Sequence, residues 1–159
     1  MAKFFTFILI TLFSANIFSQ NKLSKTKANK KSFPTNINAE NFNKLENFDG
    51  EIISYDGIIE KIENSRNNTP FYKLKIEESK YLWTVLMFKN DKNVIGDKIR
   101  VVGYLRPSKP NDIEKKYLNE KFMVLSFGLV DFKNSNFLFL EGAEIQKKEW
   151  INGKIPSSN

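Results

Sequence analysis

The sequence predicts an all-β fold, a small barrel of five to six strands with one short helix between the fourth strand and the last strands. Three observations predict it. From Gly50 onward, apolar and polar residues alternate in short runs separated by turn-forming clusters, which is the period of half-buried strands. The first run, Glu51 to Glu63, carries Asp56-Gly57 at its middle. Glycine inside a strand marks a bulge or tight bend, which suits a strand curling round a barrel. The run Tyr81 to Phe88 (YLWTVLMF) is apolar on both faces, so it is expected to be covered on both or to expose a binding surface. Successive short antiparallel strands favour closure, because closure removes exposed edges.

The elements follow in order. Ala39 to Phe48 is expected to form a short helix capped by Asn38. The long bent strand comes next, then a turn at ENSRNNTP. In Phe71 to Glu78 (FYKLKIEE), Tyr72, Leu74 and Ile76 face one side while Lys73, Lys75 and Glu77 face the other. A tight turn at Glu78-Ser79-Lys80 leads into the strand Tyr81 to Phe88. A loop, KNDKNVIGD, precedes a fourth strand, Lys98 to Leu105, ended by Arg106-Pro107. Asp112 to Lys121 reads as the short helix, with Ile113, Tyr117 and Leu118 at helical spacing. Phe122 to Phe132, a turn at KNSN, and Phe137 to Trp150 are expected as the final strands.

The N-terminus reads differently. Lys3 precedes an apolar run, Phe4 to Phe13, followed by small and polar residues. Charge, apolar run and polar boundary in that order predict a signal peptide over residues 1–19, and a run of this length is too short to span a bilayer. The product is therefore expected to be exported, periplasmic or extracellular, with no membrane span after cleavage. No Cys stands at the boundary for a lipoprotein anchor. Residues 20–35 read as a basic disordered linker, since positions 21 to 31 hold five Lys and no acid. Residues 36–152 form the barrel domain, and 153–159 a loose tail.

Composition closes several chemistries. The 159 residues suffice for one domain, and 41% are hydrophobic, with 15 Phe to fill a core. There is no Cys and no His. Disulfides, thiolate or imidazole metal sites, and Ser-His or Cys-His pairs are thereby excluded. Of the net charge of +7, all but one unit sits in the N-terminal segments, because after residue 31 there are 19 basic against 18 acidic side chains. The folded part is nearly neutral, so the basic total is no argument that the domain binds nucleic acid.

Three elements resemble an OB-fold of the nucleic-acid-binding, anticodon-type superfamily. They are the bent strand YDGIIEKIE, the FYKLKIEE–YLWTVLMF hairpin, and Gly96-Asp97-Lys98-Ile99-Arg100-Val101-Val102-Gly103. The resemblance covers roughly residues 50 to 106 and implies an OB-type barrel, which the expected signal peptide would make a divergent, exported one. It also implies a recognition face on the second and third strands, where such barrels stack bases or sugars.

Candidate chemistry centres on that face. Tyr81, Trp83, Lys73 and Lys75 are the candidate ligand-binding residues, joined by Arg100 from the fourth strand. The expected ligand is single-stranded nucleic acid or an oligosaccharide. The leading alternative is that Tyr81 and Trp83 cover the barrel end, packed under the N-terminal helix or the C-terminal tail, and an exposed apolar face would also suit a protein partner of the cell envelope. No catalytic constellation is expected. The carboxylates Glu60, Glu63, Glu77, Glu78, Asp112 and Glu114 have no spacing that forces any two to converge, and a glycosidase needs two convergent ones. Ser54, Ser79 and Ser126 have no histidine base. Isolated glycines supply no phosphate loop. The chain is therefore expected to be a non-enzymatic binding module with no cofactor and no metal.

Overall fold

The computed structural model describes residues 20–22, 32–65, 68–108 and 120–158. Its elements are β1 (Gln20–Lys22), a 3-10 helix (Phe42–Phe48), β2 (Ile52–Asn64), β3 (Pro70–Glu77), β4 (Lys80–Leu86), β5 (Lys98–Pro107), β6 (Phe122–Asp131), β7 (Asn136–Phe139) and α1 (Glu144–Ile151). The expected signal peptide and the expected helix over Asp112–Lys121 lie outside the described residues, apart from the last two positions of that helix.

Five strands close a mixed barrel. β2 pairs with β3 and β5, β3 with β4, β4 with β6, and β6 with β5. All joints are antiparallel except β4–β6, where Trp83 to Leu86 run parallel beside Met123 to Ser126. β7 continues the sheet from β6, and β1 pairs with β7. The first three residues of the expected linker are thus an edge strand.

The bend expected in β2 is present. Residues 52–58 pair with β5 and residues 58–64 with β3, with a register shift between Ile59 and Lys61. Gly57 lies at that changeover, where a Cβ would stand 2.8 Å from the Cβ of Leu74. Before β3 takes over, the free edge of β2 is satisfied by a side chain. The Asn36 Oδ1 accepts the Ser54 N–H (2.7 Å), and its Nδ2 donates to the Ile52 carbonyl (3.2 Å). Buried backbone groups need such partners, and an amide side chain supplies both a donor and an acceptor.

Alternation places one core inside the barrel. Ile53, Tyr55, Ile59, Tyr72, Leu74, Leu82, Leu86, Val101 and Val124 point inward and are buried. Leu45 of the 3-10 helix and Ile37 close one end of this core, and Phe88 closes the other. Asn38 caps the turn that precedes the helix, its Oδ1 accepting the Glu40 and Asn41 N–H groups (3.0 and 3.1 Å). Within the core, Tyr55 hydrogen-bonds Thr84. Burial pushes the Tyr55 phenol above its usual range, and the Thr84 contact offsets only part of that. Burial, with the negative charges of Asp91 and Asp97, pushes Tyr72 up to about 12.

A second core lies outside the barrel wall. Phe33, Ile52, Val102, Phe127, Val130, Phe137, Phe139 and Trp150 are buried together there. A bulge in β6 builds it. Val102 pairs with Gly128 and Gly103 with Ser126, which leaves Phe127 as the extra residue. The Ser126 hydroxyl donates within this kink to the carbonyls of Gly128 and Val102 (2.9 and 3.2 Å).

The final strand differs from expectation. Pairing stops at Phe139, Gly142 adopts φ +91°, and Glu144–Ile151 is α-helical. Residues 144–149 (EIQKKE) are mostly straight-chain helix formers, and after the glycine there is no neighbouring strand among the described residues for them to pair with. The last residues also lie against the fold. Pro156 is buried, Ile155 packs on the second core, and the Ser157 N–H donates to the Glu149 carboxylate (3.3 Å).

Candidate functional site

β3 and β4 bring four of the five predicted residues together. Register sets Lys73 opposite Trp83 and Lys75 opposite Tyr81. These positions alternate with the inward residues Tyr72, Leu74, Leu82 and Thr84, so all four side chains belong to the outer wall. Lys73 Nζ lies 4.3 Å from the centre of the Tyr81 ring, a cation–π distance, and 4.0 Å from Glu120. Tyr81, Lys73 and Lys75 are partly exposed.

Trp83 has a different environment. It is only 2% exposed, so its ring offers no open face for stacking. Its indole Nε1 is buried and has no hydrogen-bond partner among the described residues. Alternation places Trp83 on the correct wall but carries no information on what encloses it.

Arg100 stands apart from this group. Its Nε and Nη2 donate to the two carboxylate oxygens of Asp56 (2.5 and 2.9 Å), and its Nη1 to the Phe33 carbonyl (2.6 Å). Its guanidinium also lies 5.1 Å from the centre of the Phe132 ring. A bidentate, planar pairing of this kind is a strong clamp. Arg100 therefore fastens the 33–36 segment to β2 and β5 rather than joining the β3–β4 face.

Beside Tyr81 a shallow cleft of about 180 Å³ opens between the 3-10 helix and the starts of β4 and β6. Phe42, Glu46, Tyr81, Glu120, Lys121 and Phe122 contribute to its lining. It is smaller than the roughly 300–1,000 Å³ of a drug-sized ligand site, and it suits one ring rather than a whole oligomer.

One further row crosses the same wall. Phe71, Val85 and Leu125 are register partners on β3, β4 and β6, and each is partly exposed. Alternation places these residues outward, but the row itself exists only through the parallel β4–β6 joint, which no local sequence signal specifies.

A buried carboxylate pair is also present, which the sequence reading does not single out as a site. Asp97 and Asp131 are buried, and the Asn93 Nδ2 donates to both (3.5 and 3.0 Å). Asp97 further accepts the Val94 N–H (2.9 Å) and Lys133 Nζ (3.0 Å). Asp131 accepts the Asn134 N–H (3.1 Å) and its Nδ2 (2.7 Å). Each carboxylate thus caps a turn, 94–97 or 131–134, and its lone pairs are committed to protein donors. Among the described residues, no group of three or more acidic side chains is placed to hold a metal ion.

The Val94 N–H above all, then Lys133, holds the Asp97 carboxyl below the usual carboxylate range, against the opposing effect of burial. The folded value is depressed, so this stabilisation is present above the ordinary value of 3.8 and is lost as pH falls through the folded one. Urea denaturation from neutral pH down to about 3 should therefore show a steeper loss of stability for the native chain than for Asp97→Asn. Parallel curves would remove Asp97 from the acid response.

No protein-family model matches the chain, and no curated protein matches its sequence.

Proposed function

We propose that this chain is an exported, non-enzymatic binding module of OB-fold type whose recognition face is the outer wall of β3 and β4. The closed five-stranded barrel with one parallel joint, β4–β6, supports the OB reading. One observation carries the choice of face. Tyr81 stands partly exposed beside Lys73 and Lys75, at the mouth of a one-ring cleft. The ligand is an oligosaccharide in preference to single-stranded nucleic acid. The folded part is nearly neutral, Lys73 is occupied by Tyr81 and Glu120, and Arg100 is occupied by Asp56. A polyphosphate chain needs several cations to neutralise it, whereas a sugar ring packs on an aromatic side chain and hydrogen-bonds to a few polar groups.

The test is calorimetric titration with a chito-oligosaccharide and with an oligo-dT strand. Tyr81→Ala should weaken saccharide binding about five- to tenfold, equivalent to about 1 kcal/mol at the lower end of aromatic stacking. Saccharide affinity should change little with salt. Tight, strongly salt-dependent oligo-dT binding would transfer the face to nucleic acid, and unchanged affinity in Tyr81→Ala would remove the face altogether.

The apolar row Phe71–Val85–Leu125 favours a second reading, in which the same wall docks a structural partner of the cell envelope. A complex with envelope material that survives nuclease and glycosidase, and is lost in Val85→Lys, would select this alternative.

A further inference from the structure

The barrel end opposite the 3-10 helix has a composition unlike the rest of the surface. It is built from the loop 87–97 and the turn 132–135, which the buried Asn93, Asp97 and Asp131 and the exposed Lys133 lock together. Gly96 N–H donates to the Ile59 carbonyl beside them (2.8 Å). Most of the large exposed apolar side chains of the described residues gather here, namely Ile95 (64%), Val94 (56%), Phe132 (47%) and Ile58 (45%).

The backbone holds the first two outward. Asp97 N–H donates to the Val94 carbonyl (3.1 Å) and Gly96 adopts φ +94°, so Val94 to Asp97 is a tight turn with Ile95 at its apex. The Asp97 carboxylate holds the same turn from within. Buried polar bonds are thus committed to fixing a greasy tip in solvent.

Charge surrounds the tips. Lys89 and Lys92 are exposed on the same loop and Lys98 just after it at the start of β5, while the exposed Lys133 of the turn is paired with Asp97. The exposed acids near them are Asp91 and Glu60, while Asp56, Asp97 and Asp131 are bonded within the fold.

We propose that this end docks on an anionic lipid surface, with Val94, Ile95 and Phe132 entering the headgroup–acyl boundary and the surrounding lysines meeting lipid phosphates. Rigid aliphatic tips ringed by cations complement an apolar layer under negative headgroups. Nucleic acid would meet the cations but has no use for Val94 and Ile95, which cannot stack on bases.

The experiment is co-sedimentation of the protein, purified in the form the cell accumulates, with vesicles of phosphatidylglycerol mixed into phosphatidylcholine and with vesicles of phosphatidylcholine alone. The readout is the ratio of binding to the two lipids at low and at high salt. The native protein should favour the anionic vesicles by about tenfold or more at low salt. Val94→Asp/Ile95→Asp should lose that preference about tenfold without lowering the unfolding midpoint, because both side chains are exposed. Lys89→Glu/Lys98→Glu should lose it as well, and should flatten its salt dependence. Equal partition into both lipids would overturn the proposal. So would a preference that survives the apolar-tip variant, or competition of oligo-dT for the same lysines without vesicle binding. The β3–β4 wall is untouched by these variants, so saccharide titration of each separates failure here from failure of the recognition face.

Discussion

Replacing Trp150 by alanine is expected to lower the unfolding free energy by about 3–5 kcal/mol, the range for truncating a buried aromatic to alanine. Trp150 is fully buried and is the only buried residue of α1. Its ring meets Phe33 edge-on at 5.0 Å and Phe137 at 6.2 Å. Its indole Nε1 donates to the Pro34 carbonyl (3.0 Å), and its own carbonyl accepts the Phe33 N–H (2.9 Å). One side chain therefore ties the C-terminal helix to the 33–36 segment and, through Arg100, to the barrel. Alanine would remove both the packing and the indole bond. Trp150→Phe keeps most of the packing and loses the bond, so its cost should be about 1–2 kcal/mol. Urea titrations of the three proteins, with limited proteolysis of the C-terminus, give the comparison. A Trp150→Ala midpoint equal to that of the native chain would mean that α1 contributes nothing to the fold.

That dependence on one residue also explains why the helix is not legible in the sequence. An amphipathic helix is read from a repeating apolar stripe, and α1 buries a single side chain. The apolar run Phe137 to Leu140 leads straight toward it, so a continued strand is the natural extrapolation. The barrel itself is legible because β3 alternates strictly, β2 alternates over its second half, and Gly57 marks the bend. The site is half legible. A period of two places Lys73, Lys75, Tyr81 and Trp83 on one wall, but it carries no information about what lies over that wall, and Trp83 is enclosed. Arg100 escapes sequence reasoning for a related reason. Its partner, Asp56, is 44 residues away, and only the β2–β5 register brings them together. Asp97 and Asp131 each look like ordinary turn residues, and their pairing through Asn93 is a property of the closed barrel. The second core is hidden because its members on the barrel, Ile52, Val102, Phe127 and Val130, are wall residues whose burial depends on β7, α1 and Phe33 packing over them.

Substituting Gly103 by alanine should be more damaging than its single added methyl group suggests, by about 3 kcal/mol or more. Gly103 faces the bulge of β6, where the partner strand kinks toward β5. A Cβ built there would stand 2.6 Å from the Ser126 Cα and closer still to the Leu125 carbonyl oxygen. Both are backbone atoms, so no rotamer change relieves the clash, and the β5–β6 seam itself must open. That seam closes the barrel from Ile99 opposite Asp131 to Pro107 opposite Phe122. Opening it would strand backbone donors and acceptors and loosen Phe127, which the same bulge turns into the second core. Gly96→Ala is the informative contrast. Gly96 has φ +94°, but a Cβ added to it would meet no atom within 4 Å, so that substitution should cost only the backbone strain, about 1 kcal/mol. If the two alanine variants unfold at the same urea concentration, the close approach of β5 to the β6 bulge is not what holds the barrel shut. If Gly103→Ala alone falls, with near-ultraviolet circular dichroism reporting loss of aromatic order, barrel closure and the outer aromatic core rest on the same backbone contact.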